Sequence, residues 1–197
     1  AVPSRQFDIS KIDFDLLSRE FAHTRRKNLL LRDLDELVNQ QLAKMLFANP
    51  QRIDYYDRYQ EIIDAYNAEQ NRATIEKTFM DLMELASSLD TEQQRYVREG
   101  FSSDEELSVY DLLFSENLTK QEIETIKKVS VDLLTKIKQQ IAKLDHWTDK
   151  QETKAIVDNL IRKTLWQELP NSYDVSDIQT YQKKIYEYVY MRYPEVA

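Results

Sequence analysis

Few residues of this chain have the types and spacing that catalysis or metal binding requires. The two histidines, His23 and His146, lie far apart, and only Glu20 to His23 matches the Glu-x-x-His motif of di-metal helical bundles, which need two such pairs. Glu152 and Lys154 match the acidic-x-Lys half of a metal-dependent nuclease site, but they fall inside a predicted helix. We therefore interpret these two as a solvated pair of helix charges, and we expect no metal site.

The single glycine, Gly100, excludes further classes of site. Phosphate-binding loops, dinucleotide fingerprints and nucleophile elbows all need glycines where the backbone takes a positive φ or closely approaches a ligand. The chain also has no cysteine, which excludes disulfides and thiolate metal sites and fits a reducing cytosol. We therefore predict no catalytic residue and no cofactor site.

The spacing of apolar residues predicts an all-α fold of seven or eight helices with no strand. One glycine and four prolines leave few points where a helix must end. Capping patterns predict helix starts at Thr119, Thr148 and Ser176, and Gly100 is expected just past a helix C-terminus. Asn49-Pro50 is expected to stop one helix and start the next. The other predicted helices lie at about 25–48, from 71 to 99 and from 103 to 113.

A length of 197 residues suits one domain or two small ones, and we predict a single compact helical domain over residues 1–197. Residues 1–11 are expected to form an irregular lead-in. Because the chain opens Ala1-Val2-Pro3 with neither an initiating Met nor a signal peptide, we interpret it as a fragment of a larger subunit. No apolar run approaches the roughly 20 residues of a membrane span, so we expect a cytoplasmic protein.

Two groups of cations are candidates for contacts with DNA or a partner, although the net charge of −8 argues against a general nucleic-acid coat. Arg25, Arg26 and Lys27 oppose the helix dipole at a predicted N-terminus. Either that helix starts earlier and they lie mid-helix, or they contact something outside the fold. The second group lies on the polar side of the helix that starts at Thr119 and consists of Lys128, Lys136 and Lys143.

Arg162, Lys163 and Trp166 form a third candidate cluster. Helical spacing places the indole of Trp166 beside both cations, away from the apolar stripe. An exposed aromatic ring between cations suits contact with a partner or a phosphate. Packing of Trp166 against a neighbouring helix is the alternative.

The last predicted helix carries tyrosines on two faces, where one apolar stripe would suffice for a core. The second face could dock onto another protein, because tyrosine presents a large area with little rotamer entropy. A helix buried all round is the alternative. The docking candidates on the second face are Tyr186, Tyr190 and Tyr193.

Several motifs, in their order and spacing, resemble one known family. They are Asn49-Pro50-Gln51-Arg52, then Tyr59, Ile62-Ile63 and Tyr66-Asn67, then Glu99-Gly100 before Glu105-Glu106-Leu107 and Tyr110-Asp111-Leu112-Leu113, and finally Trp147 with the helix from Asp149. From about Phe21 to Tyr193 the chain resembles the C-terminal helical domain of the restriction (motor) subunit of type I restriction–modification enzymes.

This resemblance implies a noncatalytic fragment of an ATP-dependent type I site-specific deoxyribonuclease. The parent subunit would use ATP and magnesium, but its nuclease and helicase motifs are absent here, so the fragment itself would hold no cofactor. The implied role is to dock the DNA translocase and endonuclease subunit onto the methyltransferase and specificity subunits, with duplex DNA as a further contact. The alternative that stays open is an independent helical enzyme or adaptor with an unrecognised site.

Overall fold

The computed structural model describes residues 12–195, and the expected lead-in at 1–11 lies outside them. Within the described residues the regular structure is entirely helical, so the predicted all-α fold is confirmed. Residues 12–195 form nine α-helices in place of the seven or eight expected, because a separate helix precedes residue 25 and the predicted helix at 71–99 is broken. The helices are α1 (Phe14–His23), α2 (Lys27–Ala48), α3 (Ile53–Ala68), α4 (Arg72–Gln93), α5 (Arg95–Arg98), α6 (Asp104–Leu113), α7 (Lys120–Ile141), α8 (Gln151–Glu168) and α9 (Val175–Arg192).

The helices group into two compact units, and the boundary falls between Arg95 and Tyr96. Each unit has its own hydrophobic core: α1 to α4 supply the first, and α6 to α9 supply the second. This division was not predicted from the sequence. Helical periodicity shows which face of a helix is buried, but it does not show which helices share a core.

The first unit is built around α4, against which α2 and α3 both pack. The ring of Phe21 in α1 stacks on that of Phe79 in α4, with centroids 3.7 Å apart. As predicted, Asn49 ends α2 and Pro50 starts a short 3₁₀ turn that leads into α3. In that turn Arg52 is buried, and its Nε donates to Glu92 Oε1 at 3.1 Å. This pairing offsets the cost of burying two charges.

Gly100 ends the segment that follows α4, as the sequence predicts. The backbone N–H of Phe101 donates to the Tyr96 carbonyl at 2.9 Å, and that of Gly100 donates to the Val97 carbonyl at 3.1 Å. This is the hydrogen-bond pattern of a Schellman motif, and Gly100 has the positive φ, +83°, that the motif requires. The predicted helix at 71–99 is nevertheless wrong in one respect, because α4 ends at Gln93 and α5 is separate.

In the second unit α7 packs between α6 and α8, and α9 packs against α8 and α6. The predicted capping box at Thr119 is confirmed: its hydroxyl accepts from the Glu122 N–H, and the Glu122 carboxylate accepts from the Thr119 N–H. That carboxylate hydrogen bond lowers the pKa of Glu122.

The caps predicted for the last two helices are wrong. The helix expected from Thr148 begins at Gln151, because Trp147 to Asp149 form a turn and the Thr153 hydroxyl donates back to the Trp147 carbonyl at 2.7 Å. The helix expected from Ser176 begins at Val175, after a capping box between Asp174 and Asp177. None of the helices in residues 12–195 combines the length and hydropathy that a membrane span requires.

Substitutions at Gly100 test the turn near the start of the second unit. A Cβ added there would meet no atom within 4 Å, so the cost of Gly100→Ala comes from the left-handed backbone alone. We expect it to lower the free energy of unfolding by about 1–2 kcal/mol, measured by urea denaturation. Gly100→Asn is the matched variant and should cost less, since asparagine tolerates this conformation better. Equal stability of all three proteins would contradict this interpretation.

Candidate interaction surface

The residues first considered for metal or acid–base chemistry do not converge. Across residues 12–195, no three His, Asp or Glu side chains are placed to share a metal ion. His23 is exposed at the end of α1, whereas His146 lies in the turn after α7, 3.4 Å from a Glu195 oxygen. Glu152 and Lys154 lie in the first turn of α8, inside a helix as predicted.

The cluster of Arg25, Arg26 and Lys27 divides into exposed and structural members. The helix predicted from residue 25 begins at Lys27, so the mid-helix alternative is wrong: Arg25 and Arg26 lie exposed in the break between α1 and α2. Lys27 instead donates from Nζ to the Phe21 carbonyl at 2.5 Å and lies 4.4 Å from the centre of the Phe21 ring. Its charge therefore stabilises the C-terminal end of α1.

The three candidate lysines of α7 and its C-terminal turn also differ. Lys136 bridges two carboxylates, with Nζ 2.6 Å from Asp132 Oδ2 and 2.7 Å from Glu168 Oε1. The hydrogen-bonding contacts of Asp132 with Glu168 and Lys136 lower the pKa of Asp132. Burial raises the pKa of Glu168. The hydrogen bond that Lys136 donates to Asp132 raises the pKa of Lys136. Lys136 thus ties α7 to α8, whereas Lys128 and Lys143 are exposed.

The tyrosines proposed for docking on α9 mostly pack around one buried indole. Trp147 is fully buried, and its Nε1–H donates to the Tyr193 carbonyl at 2.6 Å. Tyr193 is itself buried, so its side chain is not on a docking surface, contrary to the prediction; that burial also raises its pKa. Tyr186 and Tyr190 present edge-on contacts to Trp147, with ring centres 6.1 and 5.8 Å away. Of the three tyrosines only Tyr190 is exposed.

Arg162, Lys163 and Trp166 lie on the solvent side of α8. The opposite side carries Val157, Ile161 and Leu165, which are fully buried. Trp166 is 49% exposed, which favours an external contact over packing against a neighbouring helix. Neither cation lies over the indole within the described residues, and Arg162 Nη2 donates instead to Asn159 Oδ1 at 3.3 Å.

Three further residues, Ala155, Ile156 and Asn159, extend this cluster toward the start of α8. Ile156 is 42% exposed, and Ala155 and Asn159 are also exposed. They were not among the predicted candidates, although continuing the i, i+3, i+4 spacing back from Trp166 would have found them. We call the whole set the α8 outer surface. It consists of Ala155, Ile156, Asn159, Arg162, Lys163 and Trp166.

An open groove of about 520 Å³ adjoins the α8 outer surface, between α8 and α9. Gln182 Nε2 crosses it to donate to Asp158 Oδ1 at 3.0 Å. Most of its lining residues have polar side chains, among them Lys154 and Lys183. Ala155 belongs to both the groove and the α8 outer surface, so the two form one continuous stretch of helix surface.

Comparison with known proteins identifies the family. Residues 2–193 match the family model described as type I restriction enzyme HindI endonuclease subunit-like, C-terminal. The chain therefore belongs to this family of C-terminal domains, in agreement with the resemblance seen in its motifs. Neither a curated protein sequence nor a solved structure shows significant similarity to the chain.

The two tryptophans allow a direct test of the exposure of Trp166. In Trp166→Phe the only indole is the buried Trp147, so we expect blue-shifted emission and quenching by acrylamide several-fold weaker than in Trp147→Phe. Trp147→Phe should also lower the free energy of unfolding by about 2 kcal/mol, because it leaves the buried Tyr193 carbonyl without its donor. Equal quenching of the two folded variants would contradict the placement of these indoles.

Proposed function

We propose that this domain is a noncatalytic docking module of a type I restriction enzyme, joining the endonuclease subunit to the methyltransferase and specificity subunits. Membership of the C-terminal family supports the context. The observation that carries the proposal is the α8 outer surface, where Trp166 and two cations lie exposed on a helix whose other side is held in a core. In this proposal ATP and magnesium act elsewhere in the complete subunit.

Two features of the α8 outer surface favour docking: the helix that carries it is anchored in a core, and its exposed residues are of types that suit binding. Tryptophan and arginine are the residue types most enriched among those that dominate binding energy at protein interfaces. Here both are carried by an 18-residue helix anchored by fully buried side chains, so they are ordered before a partner arrives. A preordered surface loses less conformational entropy on association than a flexible one.

We propose a second, weaker contact between Arg25, Arg26 and the phosphates of duplex DNA. Both guanidinium groups lie exposed in the break before α2, and residues 24–29 line an open depression there. Lys27 is left out of this contact because it is already bound to the end of α1. With so few cations in an acidic chain, any such contact would be independent of sequence and sensitive to salt.

Removing the domain from the complete subunit tests the docking role. We expect a subunit truncated before this domain to keep the folding and ATP hydrolysis of its other domains but to bind the methyltransferase–specificity core at least tenfold more weakly. Analytical ultracentrifugation of the mixed subunits, with circular dichroism of the truncated one, measures both. Assembly at the parental affinity would remove the docking proposal.

Reversing the exposed cations tests the DNA contact separately. In the assembled enzyme, Arg25→Glu with Arg26→Glu should weaken DNA binding similarly for different sequences and reduce the salt slope by about 1 for each phosphate that the protein no longer neutralises. The folding of α2 should not suffer, since acidic residues near a helix N-terminus are favourable. The matched control is Arg32→Glu with Lys44→Glu, which makes the same charge change at two exposed positions within α2. Equal DNA affinity and salt slope in parent, variant and control would contradict the proposal.

A further inference from the structure

We infer that the α8 outer surface binds an acidic, amphipathic helical segment of a protein in the methyltransferase–specificity core. This inference rests on the proposed docking function and adds the chemistry of the partner. It is carried by three properties of the surface, namely its charge, its apolar content and its length.

The first property is an excess of positive charge. From Ala155 to Gln167, none of the exposed residues of α8 is acidic, although the chain as a whole has a net charge of −8. Of the three carboxylates of α8, Asp158 accepts from Gln182 and Glu168 pairs with Lys136, while Glu152 is exposed in the first turn, ten residues before Arg162. Arg162 and Lys163 therefore favour carboxylates or phosphates on the partner.

The second property separates a protein partner from DNA. Ile156 and Trp166 are 42% and 49% exposed on the same side of α8 as the two cations. The backbone of duplex DNA would pair with the cations but would leave these apolar side chains uncovered. A protein segment can place carboxylates opposite Arg162 and Lys163 and apolar side chains over the indole, so it satisfies the whole surface.

The third property is the length of the stretch, which lies within one uninterrupted helix. From Gln151, which lines the groove beside α9, to Trp166 the helix rises about 22 Å, or roughly four turns. Gln151, Ala155, Asn159, Arg162 and Trp166 follow one another at helical spacing along that length. A partner helix of about four turns, lying along α8 with one end over the groove, matches this footprint.

Affinity measurements on surface variants test the inference. The affinity of the complete endonuclease subunit for the purified methyltransferase–specificity core is measured without DNA, at low and at physiological salt. Trp166→Ala, and Arg162→Glu with Lys163→Glu, should each weaken association at least tenfold, and the charge reversal should also flatten its salt dependence. The matched controls lie in the first unit: Met80→Ala removes another half-exposed apolar side chain, and Arg32→Glu with Lys44→Glu makes the same charge change. Both controls should stay within about twofold of the parent.

Cross-linking identifies the occupant. A photoreactive residue at Asn159 in the assembled complex should attach to a segment of a methyltransferase or specificity subunit that is helical and carries a net negative charge. Changing the carboxylates of that segment to lysine should restore affinity to the subunit with Arg162→Glu and Lys163→Glu. Attachment to DNA, to a second copy of this chain or to a segment without carboxylates would overturn the inference.

The outcomes distinguish this inference from the docking function on which it rests. If the truncated subunit fails to assemble while both surface variants bind with parental affinity, docking stands and the α8 outer surface is not its site. If the truncated subunit assembles normally, both fail.

Discussion

The hydrogen bond from the Trp147 indole to the Tyr193 carbonyl is the constraint on which the second unit depends most. It joins the turn after α7 to the end of α9, and it does so inside the core, where an unsatisfied donor or acceptor costs about 1–3 kcal/mol. Tyr186 and Tyr190 close around the same ring. Between these two joined points in the chain lies α8, whose buried Val157, Ile161 and Leu165 fix its inner side against the same core. Arg162, Lys163 and Trp166 are consequently held outward.

The charged side chains also divide into those that hold the structure together and those that face solvent. In the first unit Glu92 is buried with Arg52 and accepts a further hydrogen bond from Arg95, so these charges hold α4 to the turn before α3. Lys27 and Lys136 are likewise engaged within their own units. Among the candidate cations, Arg25 and Arg26 in one unit face solvent, as do Lys128, Lys143, Arg162 and Lys163 in the other, and an intermolecular role can rest only on such exposed groups.

Features set by a few neighbouring residues could be predicted from the sequence. The Thr119 capping box, the stop at Asn49-Pro50 and the left-handed turn at Gly100 each depend on local backbone chemistry. The start of α9 was misplaced because neighbouring patterns compete: Asp174 with Asp177 satisfies the same cap as the predicted box at Ser176. The start of α8 was misplaced because Thr148 lies in a turn and does not cap the helix.

Tertiary contacts decided the features that the sequence could not predict. Burial of Tyr193 follows from its place beside Trp147, which is 46 residues away in the chain. Trp166 could be predicted as a candidate but not as exposed, since helical spacing is the same for an outward ring and for one covered by another helix.

We propose that the α8 outer surface is where this domain meets the rest of its enzyme. An electron cryo-microscopy map of the complete complex, with and without DNA, would show whether this surface is covered. We expect Trp166 to be covered by a protein helix with carboxylates next to Arg162 and Lys163, whether or not DNA is bound. A map in which Trp166 faces solvent while another surface of the domain contacts the methyltransferase–specificity core would contradict it.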